Sequence, residues 1–189
     1  MRVQSALDIS TIDNFLTLYG ACVVQNVLNA NDVRTAQQQL ITDHHTLSQI
    51  EGYTIATPED GRFGRFVPRL YPGLEEQIAP LQQTLAQLYE KQVDNEYVEL
   101  VYMPTDTCAQ PGLVLHEDID LTYNLALQAF DETGAPDDRL YIKRHGIHQI
   151  QLALDEVLVI SGTNGLYEPV LHGVRKDRKK RFAQFILCT

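Results

Sequence analysis

Four ionisable residues lie close together between two apolar runs near the middle of the sequence. Segment 112–127 reads GLVLHEDIDLTYNLAL, with His116, Glu117, Asp118 and Asp120 at its centre. Imidazole and carboxylate groups are common metal ligands. A charge in apolar surroundings is costly unless it is paired, hydrogen-bonded or bound to a metal. The segment is therefore a candidate for a metal site or for a structural ion pair.

The elements that would position these residues are short strands. From residue 96 onward, apolar stretches alternate with turn residues, which is typical of an antiparallel sandwich or barrel. A double-stranded β-helix (jelly roll) would pair the first strand with the eighth, the second with the seventh, the third with the sixth and the fourth with the fifth. The candidate strands are 97–103, 113–118, 121–129, 139–143, 147–152, 156–161, 167–174 and 181–187.

The first half of the chain has a different pattern. Apolar spacing predicts helices at 11–20, 31–43 with Asn31 as its cap, and 75–92 with Pro80 starting or kinking it. A short strand is predicted at 21–28, and a long loop at 52–73. We expect a single domain, mainly β with flanking α-helices, in which residues 1–95 support a jelly-roll core at 96–189.

Strand pairing would bring three potential ligands together. Residues two apart on a strand share a face, so His116 and Asp118 point one way and Glu117 points the other way. His172 lies on the seventh strand, beside the second. Two imidazoles and one carboxylate on one side of a metal form the facial site of non-haem Fe(II) oxygenases. The alternative is a buried histidine paired with a carboxylate for structure.

These residues also resemble a known family. The motif His116-Glu117-Asp118, then His172 54 residues later and Arg181 nine residues beyond, resembles the Fe(II)/2-oxoglutarate-dependent dioxygenases. Segment 15–28 (FLTLYGACVVQNVL) is similar to the opening of phytanoyl-hydroxylase-like and prolyl-hydroxylase-like members. Segment 147–174 resembles the family's run into the distal histidine.

The resemblance implies an oxidoreductase in which His116, Asp118 and His172 are the catalytic metal ligands. They would hold Fe(II), with 2-oxoglutarate as cosubstrate and O2 as oxidant, releasing succinate and CO2. The expected substrate is a small molecule, such as an amino acid or a specialised-metabolism intermediate. Asp118 favours hydroxylation over halogenation, because related halogenases have Gly or Ala at that position. Hydroxylation, desaturation and cyclisation stay open.

An arginine would hold the far carboxylate of 2-oxoglutarate. A guanidinium suits this role because it binds carboxylates bidentately and keeps its charge. The family spacing favours Arg181, which opens an alternating strand, while Arg175 and Arg178 are rivals. Tyr102 and Asn124 could donate further hydrogen bonds to the cosubstrate, or serve as ordinary barrel residues.

A second group of arginines precedes the predicted barrel. Arg62, Arg65 and Arg69 alternate with aromatic residues in GRFGRFVPRLYPG. This family often builds its substrate lid at that place, so one of them could bind a substrate carboxylate. An ordinary solvent-exposed loop would explain them nearly as well.

Net charge and cysteine content limit the expected binding partners and the expected cellular compartment. The net charge of −10 argues against binding to nucleic acid or anionic membranes, because these partners bind proteins with an excess of Lys and Arg. Three cysteines at no metal-like spacing indicate free thiols in a reducing compartment, and the first residues lack the apolar core of a signal peptide. We expect a cytoplasmic protein, and the sequence does not determine its oligomeric state. The competing functions are a cupin-like metal enzyme that does not use 2-oxoglutarate and a non-catalytic jelly-roll binding protein.

Overall fold

A computed structural model describes residues 1–47, 62–102, 113, 115–137, 140–175 and 180–189. Strands dominate these residues, and three helices accompany them. In chain order the elements are β1 (Arg2–Val3), α1 (Ile9–Tyr19), β2 (Ala21–Val24), α2 (Ala30–Leu47), β3 (Arg62–Val67), α3 (Leu74–Leu88), β4 (Asn95–Tyr102), β5 (Tyr123–Phe130), β6 (Leu140–Lys143), β7 (Ile147–Ile150), β8 (Val157–Ser161), β9 (Leu171–Val174) and β10 (Arg181–Cys188).

The strands form two sheets whose pairing is that of a jelly roll. The large sheet has the order β1-β2-β8-β5-β10-β4-β3, and the small sheet has the order β7-β6-β9. Strand β4 pairs with β10, β5 with β8 and β6 with β7, all antiparallel. Residues 113 and 116 form bridges to 175 and 172, which places the second predicted strand beside β9. The predicted fold and its four pairings are therefore confirmed.

The outer face of the large sheet packs against helices. Leu125, Val159 and Ile186 belong to one buried cluster with Leu16 of α1 and Leu81 of α3. Burying a Leu or Ile side chain contributes about 1.5–3 kcal/mol, so this cluster is a major source of stability. The helical first half of the chain thus covers one face of the large sheet.

The inner face of the large sheet packs against the small sheet. Ala126, Ala183 and Phe185 form a second buried cluster with Leu140 of β6 and Ile150 of β7. The interior between the two sheets is therefore apolar where these strands meet.

Local sequence explains where the first two helices begin and end. Asp8 accepts a hydrogen bond from the Thr11 N–H at the start of α1, and Gly20 ends it in the left-handed region at φ 65°. The prediction that Asn31 caps α2 was wrong. Asn29 Oδ1 instead accepts from the Asn31 N–H at 2.9 Å, because the first helical residue is Ala30.

The predicted loop at 52–73 was wrong at residues 62–67. Arg62–Val67 is an edge strand that pairs antiparallel with β4, while residues 52–61 lie outside the described part. The RFGRFV segment alternates, and edge strands accept charged residues that a central strand would exclude. Pro80 lies inside α3 rather than at its start.

Two further observations bear on the expected class of protein. Among the described residues, no helix is both long and apolar enough to cross a membrane. Cys22 and Cys188 are buried free thiols, and Cys108 falls outside the described residues.

Candidate metal centre

Two histidines face each other across the edge of the small sheet. His116 and His172 exchange both backbone hydrogen bonds, each with an N···O distance of 2.8 Å. Directly opposed residues of an antiparallel pair project to the same side. Their ring centroids are accordingly 4.5 Å apart.

Asp118 completes a group of three side chains. Its Oδ1 lies 3.5 Å from Nε2 of His172 and 3.9 Å from Nε2 of His116. One ligand atom from each residue lies within 4.8 Å of the other two. The structure therefore brings together the three residues that the sequence proposed as ligands, and Glu117 is exposed.

Hydrogen bonds orient two of the three groups. His172 Nδ1 donates to the Val170 carbonyl at 3.2 Å, which leaves Nε2 to face Asp118. Asn124 Nδ2 donates to Asp118 Oδ2 at 3.1 Å, so Oδ1 faces the histidines. Asn124 thus positions the carboxylate, a role different from the cosubstrate contact expected from the sequence.

Burial and charge shift the pKa values of the pair in opposite directions. Burial alone would raise the pKa of Asp118, but the hydrogen bond and charge of His172 and the Asn124 amide hold it below its usual value. Burial disfavours the charged form of His172, yet Asp118 raises its pKa above the usual value. A metal ion that binds here would compete with protonation of His172.

The loop after β8 fixes the backbone at Asp118. The Thr163 N–H donates to the Asp118 carbonyl at 3.0 Å, and the Asp120 N–H donates to Thr163 Oγ1 at 3.0 Å. A Cβ on Gly162 would lie 2.3 Å from the Leu121 carbonyl oxygen, so only glycine permits this approach. Sequence reasoning missed this contact, although the SGTNG run at 161–165 is its visible signal.

The three side chains differ in their exposure to water. The side chains of His172 and Asp118 are 6% and 13% exposed, whereas that of His116 is 54% exposed. One side of the group is therefore open to solvent, and the other is closed by the protein.

The donor set fits a divalent transition metal. Two imidazoles and one carboxylate are a donor set that would suit Fe(II), and three protein ligands would leave coordination positions for other molecules. Adjacent ligands with bonds of about 2.1 Å at right angles lie about 3 Å apart. The observed separations are wider, from 3.5 Å between Asp118 and His172 to no more than 4.8 Å within the group.

Arg181 lies buried between the two sheets. Its side chain is 1% exposed, Nε lies 3.1 Å from Oδ2 of Asp137, and Cζ lies 5.0 Å from the ring centroid of Tyr102. Asn124 and Ala126 are two residues apart on β5, about 7 Å along the strand. Asn124 contacts the metal group, while Ala126 and Arg181 line one small cavity. A chain of neighbouring residues thus connects the metal group to the arginine.

The other arginines lie elsewhere. Arg175 is exposed, and residue 178 lies outside the described part. Arg65 contacts Glu99 at 2.6 Å and Asp43 at 3.3 Å, which ties β3 to β4 and α2. Arg69 is exposed, and Arg62 pairs in register with Tyr102. Asp137, which the sequence analysis did not single out, is the carboxylate that contacts Arg181.

Comparisons with known proteins support the fold. No protein-family model matches the chain, and no curated protein matches it. Solved structures do. The dioxygenase for auxin oxidation 1 from Arabidopsis thaliana, as its 2-oxoglutarate complex, superposes with a TM-score of 0.67 at 12% identity, covering 98% of this chain and 88% of that one. A full-length Neurospora crassa protein in complex with alpha-KG gives 0.64 at 13% identity, covering 97% and 78%.

A third solved structure has a similar fold. JOX2 in complex with 2OG, Fe and JA superposes with a TM-score of 0.61 at 12% identity, covering 96% of this chain and 70% of that one. The Neurospora crassa protein has also been crystallised with alpha-KG and thymine. The chain therefore has the jelly-roll fold that these 2-oxoglutarate-binding proteins share.

Proposed function

We propose that the protein is an Fe(II)- and 2-oxoglutarate-dependent oxygenase, a dioxygenase that hydroxylates or otherwise oxidises a small molecule. The observation that carries the proposal is the approach of one ligand atom each from His116, Asp118 and His172 to within 4.8 Å of one another. Fe(II), 2-oxoglutarate and O2 would together supply an oxidation coupled to release of succinate and CO2.

The protein's own groups have distinct roles in this proposal. Val170 and Asn124 hold His172 and Asp118 in the orientation that ligation needs. Arg181, buried between the sheets, would take the distal carboxylate of the cosubstrate, with the ring of Tyr102 against its guanidinium. The side on which His116 is exposed would admit the substrate.

The substrate class follows from charge and fold neighbours. A net charge of −10 disfavours a polyanionic substrate such as nucleic acid, and neighbours have been crystallised with thymine or JA. Arg62 and Arg69 are the arginines we retain as candidates for a substrate carboxylate, because Glu99 and Asp43 hold Arg65. We further propose one functional domain and, from the free thiols, a cytoplasmic location.

Metal binding tests the proposal directly. His116→Ala and Asp118→Ala should each weaken Mn(II) binding by more than about 100-fold, because each removes one of three ligands. Glu117→Ala is the matched control, since this neighbouring acid is exposed. Calorimetry in the absence of air measures the affinity.

Two results would redirect the assignment. Unchanged metal affinity in both ligand variants would favour a non-catalytic binding protein. Metal binding without any metal-dependent binding of 2-oxoglutarate would favour a cupin-like enzyme that needs no cosubstrate. Succinate formation with Fe(II), 2-oxoglutarate and candidate substrates then identifies the reaction.

A further inference from the structure

The buried guanidinium of Arg181 already faces a carboxylate of its own chain. Arg181 Nε and Asp137 Oδ2 are 3.1 Å apart, and the two side chains are 1% and 3% exposed. Opposite charges this close largely cancel at longer range, and little water is present to screen either of them. A ligand that approaches the pair therefore meets much less than a full positive charge.

The cavity beside the pair is small and mostly apolar. Its volume is about 10 Å³, room for roughly one water molecule. A cosubstrate must therefore widen it and contact its walls. Apart from the pair and Gln128, its lining consists of Ala126, Ala129, Leu140, Ile150, Leu152 and Phe185.

We propose that Asp137 sets the cosubstrate selectivity of the site by compensating the charge of Arg181. A guanidinium has five N–H donors, so a second carboxylate can still bind it. That carboxylate binds against the repulsion of Asp137, whereas an uncharged tail meets the apolar walls without this penalty. A 2-oxo acid with an uncharged tail therefore competes with 2-oxoglutarate. This inference rests on the proposed function.

The unmodified protein gives the first test. 2-Oxopentanoate has the same five-carbon chain and 2-oxo acid group as 2-oxoglutarate but lacks the second carboxylate. Calorimetry with Mn(II) in the absence of air should give dissociation constants for the two acids within about tenfold of each other. A larger preference for 2-oxoglutarate would overturn the inference.

Asp137→Asn gives the second test. The amide keeps the shape of the side chain, and its oxygen can occupy the place of the carboxylate oxygen beside Arg181 Nε, but the negative charge is gone. Binding of 2-oxoglutarate should tighten by about tenfold or more, and binding of 2-oxopentanoate should change by less than about twofold. Unchanged or weaker binding of 2-oxoglutarate would overturn the inference.

The control is Glu132→Gln in the same connection between β5 and β6 as Asp137, a short hairpin in which Phe130 and Pro136 form an antiparallel bridge. It removes the same charge from an exposed side chain that contacts Lys180 at 3.6 Å, so affinity for both acids should stay within about twofold. An equal tightening in this variant would show a general effect of net charge and would also overturn the inference.

Failure of the inference differs from failure of the proposed function. If neither 2-oxo acid binds the Mn(II)-loaded wild-type protein, both are wrong. If 2-oxoglutarate binds but its affinity does not respond to Asp137→Asn, only the inference is wrong. Should that variant not fold, because removing one partner of a buried pair is destabilising, the wild-type ratio of the two affinities decides.

Discussion

Two arginine–carboxylate pairs, one partly buried and one fully buried, lie on opposite faces of the large sheet. Arg65 on β3 contacts Glu99 of β4 and Asp43 of α2 on the face that the helices cover. Arg181 on β10 contacts Asp137 between the two sheets, beside a cavity with apolar walls. The pairs have similar chemistry but different surroundings.

The different surroundings distinguish a pair with a structural role from a pair that can contact a ligand. The partners of Arg65 come from a strand and a helix, so its contacts fasten one element to another. Three polar residues also lie in register across β10, β4 and β3 on that face: Gln184, Glu99 and Arg65. The pair of Arg181, in contrast, lines an internal cavity. Burial of an arginine alone does not indicate a function. An arginine that contacts another helix or strand has a structural role, whereas one that lines a cavity can bind a ligand.

Removing Glu99 should give the largest effect on stability. Glu99→Ala leaves Arg65 with Asp43 alone in a mostly buried place, so the free energy of unfolding should fall by about 3 kcal/mol. Affinity for 2-oxoglutarate should stay within about twofold. Urea denaturation and calorimetry measure the two quantities, and Glu96→Ala, exposed on the same strand, is the control. A large loss of 2-oxoglutarate affinity would remove the distinction between the two faces.

Arg181→Met should weaken the binding of 2-oxoglutarate. The distal carboxylate of 2-oxoglutarate would then face Asp137 without a cation, and affinity should fall by on the order of 100-fold, about 2.7 kcal/mol. Affinity for 2-oxopentanoate should change much less. Arg65→Met, the matched control, should leave both affinities within about twofold. Adding Asp137→Asn to Arg181→Met should restore much of the 2-oxoglutarate affinity; if it restores none, charge is not the cause.

A third, half-exposed pair should show the smallest effect. Arg2 Nε contacts the buried Glu156 at 3.0 Å, and Arg2→Ala should cost about 1 kcal/mol at neutral pH. Burial would raise the pKa of Glu156, but Arg2, the Ala153 N–H and Gln25 hold it below the usual value. This stabilisation is therefore present above the ordinary glutamate range and is lost as the pH falls through the folded-state value.

Stability curves of wild type and Arg2→Ala at several pH values would test this. The difference in unfolding free energy should shrink on acidification below about pH 4. A difference that grows towards acid pH would mean that Arg2 does not stabilise the ionised carboxylate.

The sequence predicted the features that depend on local periodicity. Alternating apolar residues predicted most strands and their order, because one buried face imposes a period of two. The spacing of His116 and Asp118 predicted a shared face for the same reason. The segment 62–67 was missed because its arginines and glycine resemble a loop, and its strand character depends on the partner strand β4.

Contacts between distant segments could not be predicted in this way. Asp137 lies in a hairpin with no special motif, and only the folded sheet shows that it reaches Arg181. The contact of Asn124 with the cosubstrate stays a prediction, and the hydrogen bond from its amide to Asp118 was not expected. In both cases the residue type was informative, and the partner depended on tertiary packing.

The three candidate ligands differ in exposure, so a metal site formed by them is open to solvent on one side rather than enclosed by protein. Because the His116 side chain is 54% exposed, an ion seated there keeps one flank in water. We therefore expect such an ion to exchange with the medium and to be removable by a chelator. Which divalent ion occupies freshly purified protein is then governed by supply during expression, so reconstitution with a single ion should precede every assay.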